Sequence, residues 1–313
     1  LLPGVAIVAK SWWEADSARR RLRVTWRSGH TDSTVDYDTK AEALSREAGA
    51  TLRADGHVET ALESAKTVVT ASYYYPFVSH ANMEPQNCTA LYRESGAMEL
   101  WAPSQNPKAG RTLIAETLGI PENSIRVNLT RIGGGFGRRL VNDFMVEAAW
   151  IAREIRGAVQ LQWSREDDMR HDFYRPAAWH HFTAGIDDRN SMIAFDHHFV
   201  TFGKDGRPAS GAGIPSGHYP AGLVPHFRLR RSVIETNVPT GPWRSPGHSA
   251  YCWAYQSFFD EVALAAGRDP LAFRLDLLSK SYGKPPLDLT RTRATLELAA
   301  SKATTMDAIR ADY

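Results

Sequence analysis

The chain has 313 residues, 43% hydrophobic and 23% charged, with a formal net charge of +2 at pH 7. That allows one large or two medium globular domains, gives no charge excess that would draw nucleic acid, and leaves no apolar run long enough to span a membrane. The only cysteines, Cys88 and Cys252, are too few for a disulfide framework or a cysteine-ligated cluster and read as buried thiols.

The chain opens Leu1-Leu2-Pro3-Gly4-Val5, with neither an initiator methionine nor a signal peptide, and reads as a segment of something longer. Patterning predicts strands over Val5 to Ala9 and Leu22 to Trp26, a short polar helix over Thr39 to Glu47, and a β-rich stretch over Thr67 to Tyr75. A helix is expected from Ala109 to Leu118, stopped by Gly119 and Pro121, then a strand in which Ile125, Val127 and Leu129 alternate. Val141, Phe144, Met145, Ala148, Ile151 and Ala152 keep helical spacing until Gly157. Strands follow at Val159 to Trp163, around Met192 to Phe202 and around Leu229 to Ile234, with a long functional or covering loop over Gly203 to Pro225. Tyr251, Tyr255, Phe258, Phe259, Val262, Ala263 and Ala266 mark an amphipathic helix ended by Gly267; Asp269 caps the next, with Pro270 at its first position, and a last helix runs near Arg291 to Lys302. The irregular order favours α+β over a doubly wound sheet.

Between the strand at Ile125 to Leu129 and the helix that follows it, residues Arg131 to Leu140 read RIGGGFGRRL. Glycines permit positive φ and close backbone approach, so successive N–H groups can turn toward one anionic or oxo-bearing ligand, with partial positive charge added by the following helix N-terminus. The alternative is an ordinary glycine-rich turn with solvated arginines. A dinucleotide fingerprint would need glycine where Arg138 stands, and a phosphate loop would need Gly-Lys-Ser/Thr where Gly137 is followed by Arg138 and Arg139. A noncatalytic anion-binding or scaffold domain and a nucleotide-dependent dehydrogenase with a variant fingerprint remain open at this point.

Three further segments, His80 to Asn87, Trp101 to Asn106 and Gly241 to His248, set polar residues among prolines and read as loops. For each, a turn whose Gln, Asn or Arg satisfies nearby carbonyls is the plainer alternative. Arg165, Glu166, Asp167, Asp168 and Arg170 form either an acid/base cluster or an ion-paired turn. Adjacent side chains in His180-His181 and His197-His198 diverge, and no helical His-x-x-x-His spacing supports zinc. Asp143 and Glu147 share a helix face from which they could orient the loop arginines, or simply face solvent.

Together these segments resemble the molybdenum-binding large subunit of the xanthine dehydrogenase and aldehyde oxidase family, in wording closest to the isoquinoline 1-oxidoreductase beta subunit. The resemblance is carried by GGGFGRR at Gly133 to Arg139, HANMEPQNCTA at His80 to Ala90 and WAPSQNP at Trp101 to Pro107. WSREDDMRHDFYRP at Trp163 to Pro176, GPWRSPGHS at Gly241 to Ser249 and FFDEVALAAGRDPLAFRLDLL at Phe258 to Leu278 complete it. It implies an α+β fold with mixed sheets and packed helices, part of a molybdopterin-binding domain. It divides the chain into a first subdomain over 1–130, shortened at its start, and a second over 131–313 that begins with the glycine loop and lacks the C-terminal catalytic region.

The resemblance implies that Gly134, Gly135, Phe136, Gly137 and Arg138 lie against the cofactor. It maps the glutamine that hydrogen-bonds the apical oxo group to Gln105 and the arginine beside the metal centre to Arg244. Such donors suit charge that builds on oxo and hydroxo ligands. The metal is held by the cofactor's sulfurs, so no protein ligand set is required. Purine-oxidising relatives carry a glutamate where this chain has Leu140, which makes xanthine a poor candidate substrate. The family's catalytic glutamate lies downstream of Tyr313, so the segment alone is expected to be inactive. The implied full enzyme hydroxylates an N-heterocycle or an aldehyde carbon with oxygen from water. It uses a molybdopterin dinucleotide, commonly the cytosine form, passes electrons to a separate iron–sulfur subunit, and sits in the cytoplasm or periplasm of a bacterium.

Overall fold

The computed structural model describes residues 4–25, 32–285 and 287–303. In chain order the elements are α1 (Trp12–Arg19), α2 (Thr34–Ser45), β1 (Ala50–Asp55), α3 (Val58–Glu63), β2 (Thr67–Tyr75), β3 (Asn87–Tyr92), β4 (Met98–Ala102), α4 (Pro107–Leu118), β5 (Ile125–Leu129), α5 (Asp143–Ile155), β6 (Ala158–Gln162), α6 (Arg165–Arg170), β7 (Ala178–Ile186), β8 (Met192–Lys204), β9 (Arg207–Pro208), β10 (His226–Glu235), α7 (His248–Ala265), α8 (Pro270–Leu277) and α9 (Leu289–Lys302). The fold is α+β, with mixed sheets and packed helices.

The chain divides into two compact units, each assembled from separated segments. The first comprises Leu1–Asp32, Phe77–Pro176 and Asn237–Pro246; the second comprises Ser33–Pro76, Ala177–Thr236 and Gly247–Tyr313. A cut between residues 130 and 131 would therefore fall inside the first unit, between β5 and the glycine loop it feeds. Strand pairing between residues far apart in sequence sets this division, as when β1 at Ala50–Asp55 pairs with β10 at His226–Glu235.

The first unit holds a four-stranded sheet of order β5-β4-β3-β6, antiparallel except for the β4–β5 pair. That parallel pair needs a crossover, and α4 supplies it. Asn106 caps α4 by accepting the Ala109 N–H (3.2 Å), Pro107 occupies the first turn, and Gly119 ends it at φ 64°. Ile114 and Leu118 of α4 join Phe144, Met145, Ala148, Ala149 and Ala152 of α5 over Ala90, Met98 and Leu100 of the sheet. The loops at the strand ends are thus anchored to a packed layer.

The second unit holds a sheet of order β1-β10-β8-β7-β2, with β9 on β8 and the β8–β10 pair parallel. Phe182, Phe195 and Phe227 from the strands meet Phe258 and Phe259 of α7, and Phe273 and Leu277 of α8 complete that side. Burying each such phenylalanine contributes roughly 1.5–3 kcal/mol before conformational entropy is charged against it. β8 is buried almost throughout, as expected of a central strand covered on both faces.

Several sequence expectations differ from the fold. Val5–Ala9 and Leu22–Thr25 carry no strand, and Trp26 lies outside the described residues. Val5, Val8, Leu22 and Val24 are exposed, so alternation there marks no buried face. Trp101 and Ala102 close β4, Asn87 opens β3 and His248 opens α7, so each of the three polar segments is a loop except at one end. The Gly203 to Pro225 loop starts inside β8 and contains β9; beyond that it covers the second unit's core, burying Ile214, Ala221, Leu223 and Val224. β7 carries His180 and His181, whose side chains do diverge. His180 stacks on His197 at 5.0 Å between ring centroids, while His181 and His198 approach separately at 6.4 Å.

Candidate functional site

The glycine loop leaves β5 and turns through three positive-φ residues, Gly134 at 98°, Phe136 at 52° and Gly137 at 107°. Only Phe136 among them bears a side chain, and a non-glycine residue in the left-handed region costs about 1–2 kcal/mol. The turn is closed by Arg138 N–H donating to the Gly135 carbonyl (2.8 Å) and Leu140 N–H to the Gly137 carbonyl (3.1 Å). The N–H groups of Gly134, Gly135 and Phe136 donate to no described residue. Three successive free amides in such a turn form a concavity suited to an anionic or oxo group. The next helix does not add its N-terminus here. A short turn over Arg138–Leu140 intervenes, Asn142 stands at φ 63°, and the first turn of α5 carries Asp143.

Three other segments of the first unit converge on this loop. From the end of β4, Gln105 Oε1 accepts the Gly137 N–H at 3.0 Å, and Gln105 N–H donates to the Arg139 carbonyl at 3.1 Å. Gln105 is exposed and its Nε2 donates to no described residue. Ser104 Oγ donates to Asn142 Oδ1 (2.6 Å), and Asn142 Nδ2 donates to the Asn106 and Leu140 carbonyls (3.0 Å each), which ties the two turns together. From the segment before β3, Glu84 Oε2 accepts the Gly133 N–H (2.7 Å), while Glu84 N–H donates back to the Gly133 carbonyl (3.1 Å).

The third segment is Gly241 to Pro246. A Cβ added to Gly137 would lie 1.8 Å from the Pro242 carbonyl oxygen, so that glycine lets the two backbones touch. Two residues on, Arg244 is exposed and forms no hydrogen bond or ion pair with a described residue. Gln105 and the turn bearing Arg244 therefore meet at Gly137.

The two loop arginines are buried. Arg138 donates to Asp143 Oδ1 and Oδ2 (2.7 and 2.8 Å), lies over the Trp163 and Phe173 rings at 5.4 and 5.1 Å, and makes an ion-pair contact from Nε to Asp172 (3.0 Å). Burial alone would lower its affinity for the proton, but the Asp143 bond overrides this and holds it above the usual arginine value. Its guanidinium is committed to the protein. Arg139 donates to the carbonyls of Gly134 (2.9 Å), Pro103 (3.2 Å) and Glu84 (2.8 Å), fastening the loop to both neighbours.

Asp143 thus orients Arg138, whereas Glu147 on the same helix face accepts instead from Trp163 Nε1 (3.0 Å). Burial, seconded by Asp143, pushes the Glu147 carboxyl up to about 7. The Arg165 to Arg170 cluster is α6, begun by a capping box in which Ser164 accepts from Asp167 N–H, with Arg165 paired to Asp168 at 2.9 Å. Among the described residues no group of three or more His, Cys, Asp or Glu side chains is arranged to hold a metal ion.

Asp172 and His80, named in sequence only as members of longer segments, form a buried polar pair beside the loop. Asp172 accepts from Ser79 Oγ (2.7 Å), His80 N–H (2.5 Å) and Phe173 N–H (2.7 Å), and faces His80 Nδ1 at 3.0 Å. Burial would raise its pKa, but the bonds from His80 and Ser79 keep it below the ordinary aspartate value. The signals in the sequence were the place of His80 at the head of a polar loop segment and an acid beside the aromatic pair in Asp172-Phe173-Tyr174.

Residues 44–277 match the Molybdopterin cofactor-binding domain family, and the chain belongs to that family. It is a molybdenum-binding large-subunit domain of the xanthine dehydrogenase and aldehyde oxidase superfamily. It is 30% identical to a membrane-bound aldehyde dehydrogenase (pyrroloquinoline-quinone) of Gluconacetobacter polyoxogenes, over 90% of this chain and 39% of that protein. It is 26% identical to isoquinoline 1-oxidoreductase subunit beta of Brevundimonas diminuta, over 97% of this chain and 41% of that protein. The chain therefore spans about two fifths of the length of these relatives. Quinoline 2-oxidoreductase of Pseudomonas putida 86 superposes with a TM-score of 0.69 over 86% of this chain and 36% of that one; at 21% identity it shows the shared fold.

Proposed function

We propose that this chain forms the cofactor-facing part of a molybdenum hydroxylase large subunit of the isoquinoline 1-oxidoreductase type, oxidising an N-heterocyclic aromatic or an aldehyde with oxygen derived from water. The observation that carries the proposal is the meeting of Gln105 and the Arg244 turn at Gly137, next to the amides of Gly134, Gly135 and Phe136, which donate to no described residue. When bound, a molybdopterin dinucleotide, in its cytosine form, would supply the redox-active metal and its oxo ligands.

The chain's own residues fit such a group. The Gln105 carboxamide is held by its oxygen on Gly137, which leaves its NH₂ as a fixed donor toward an oxo acceptor. Gly134, Gly135 and Phe136 offer main-chain N–H donors that need no reorganisation. Arg244 brings an exposed guanidinium with no partner among the described residues, which would offset negative charge on the group and on a reacting oxygen. Arg138 acts differently from the others, because its side chain is spent on Asp143 and contributes by stiffening the turn.

The proton-accepting glutamate is proposed to come from outside these residues, and the electrons to leave through an iron–sulfur subunit, since Cys88 and Cys252 cannot ligate a cluster. This segment alone is then inactive. Metal and cofactor analysis of the full-length complex tests the reading. Stoichiometric molybdenum with a pterin is expected; a complex free of molybdenum, or one holding pyrroloquinoline quinone instead, would overturn it.

A further inference from the structure

We propose that His80 is a positioning residue whose Nε2–H latches the turn carrying Arg244 onto the glycine loop. Nε2 lies 3.1 Å from the Pro242 carbonyl oxygen, which can only accept, so that nitrogen carries the proton. On the other side of the ring Nδ1 faces both Asp172 oxygens, at 3.0 and 3.1 Å. Both side chains are about 1% exposed, so water does not compete for either bond. Asp172 is in turn fixed by Ser79 Oγ and Phe173 N–H.

The consequence is geometric. The Pro242 oxygen that His80 grips is the same atom on which Gly137 rests. One buried imidazole therefore bridges the Gly137 amide, which orders Gln105, and the backbone two residues before Arg244, adding to the Gly241 N–H bond to the Tyr174 carbonyl (3.1 Å) that holds the start of the same turn. Asp172 orients the ring but does not itself reach the turn. The functional meaning of the latch rests on the reading of the loop as the cofactor face; its mechanical content does not.

The two ring nitrogens can be separated by substitution, because asparagine places its NH₂ near the Nδ1 position and glutamine near that of Nε2. His80→Asn keeps a donor for Asp172 and loses the Pro242 bond, whereas His80→Gln keeps the Pro242 bond. Amide hydrogen exchange in the full-length protein, followed in peptides covering Gly241 to Gly247, is expected to rise by ~10-fold in His80→Asn and to stay within about threefold of wild type in His80→Gln. In the assembled enzyme His80→Asn should lower kcat by ~10- to 100-fold with KM nearly unchanged, and His80→Gln should recover most of it.

The reverse order, equal loosening in both variants, or no change in His80→Asn would overturn the latch. Molybdenum content of the wild-type protein is measured on the same preparation. Its absence would sink the functional reading while the exchange pattern still decided the latch.

Discussion

Gly137 and Pro242 touch so closely that a methyl group on the first would sit 1.8 Å from the carbonyl oxygen of the second. No side chain could be accommodated there without separating Gln105 from the turn that bears Arg244.

Gly137→Ala should therefore be far more damaging than an alanine at another left-handed glycine. Gly137 combines φ 107° with a backbone clash, whereas Gly119 stands at φ 64° with nothing near the new methyl. A loss of roughly 3 kcal/mol is expected for the first and about 1 kcal/mol for the second. Chemical denaturation of both variants checks this; equal losses would show that the contact with Pro242 is soft.

Arg244→Ala and Gln105→Ala should separate activity from stability. Arg244 has no described partner, so its removal is expected to leave stability within about 0.5 kcal/mol. Turnover of the assembled enzyme should nevertheless fall by ~10²- to 10³-fold. Gln105→Ala also deletes the acceptor for Gly137 N–H and should cost about 1 kcal/mol besides. Melting curves alongside steady-state rates provide the comparison, and an Arg244→Ala enzyme of wild-type rate would remove that residue from the site.

Glu147 predicts a loss of stability in the first unit as pH rises. Its carboxyl sits at about 7 in the folded chain against 4.5 for a free glutamate, so between those values the native state holds the extra proton. Stability conferred by the neutral form is complete below 4.5 and is withdrawn as pH climbs through 7, by on the order of 3 kcal/mol. Hydrogen exchange of α5 amides from pH 5 to 8, corrected for intrinsic rates, should show this slope, and Glu147→Gln should flatten it.

His218 makes the opposite prediction for the second unit. Burial pulls its imidazole down to about 4, and His180 and His197, which stack on each other with the His197 ring 6.2 Å from that of His218, are lowered for the same reason. Because the unfolded chain takes up protons first, stability is full above pH 6.5 and is lost as pH falls toward 4. Acid unfolding followed by exchange of β7 and β8 amides should begin in that window. His218→Phe should shift its onset downward; an unchanged onset would show that His218 does not drive it.

The sequence carried the local chemistry well. The helix over Pro107–Leu118 was legible from its stop at Gly119 and Pro121, β5 from the alternation of Ile125, Val127 and Leu129, and the start of α8 from Asp269-Pro270, because caps and periodicity act over a few residues. Family wording in six separated segments pointed to a molybdopterin-binding domain, and the match over residues 44–277 places the chain there. What it misread were elements whose partners lie far away. Val5 and Val8 alternate without a neighbouring strand to hold them, while β7, whose inner face is buried at every alternate residue, hid its period behind the histidines.

By itself, then, the sequence determined the glycine turn, the end of α4 and the start of α8, and the presence of Gln105 and Arg244 as candidate donors. Only the tertiary structure decided that Arg138 is locked against Asp143, that Asp172 and His80 stand behind the loop, and that residues 105, 137 and 242 share one point. The reason is physical. A turn's backbone angles follow from its own few residues, but a buried hydrogen bond between positions 80 and 242 exists only once the sheet and helices have fixed where those loops emerge.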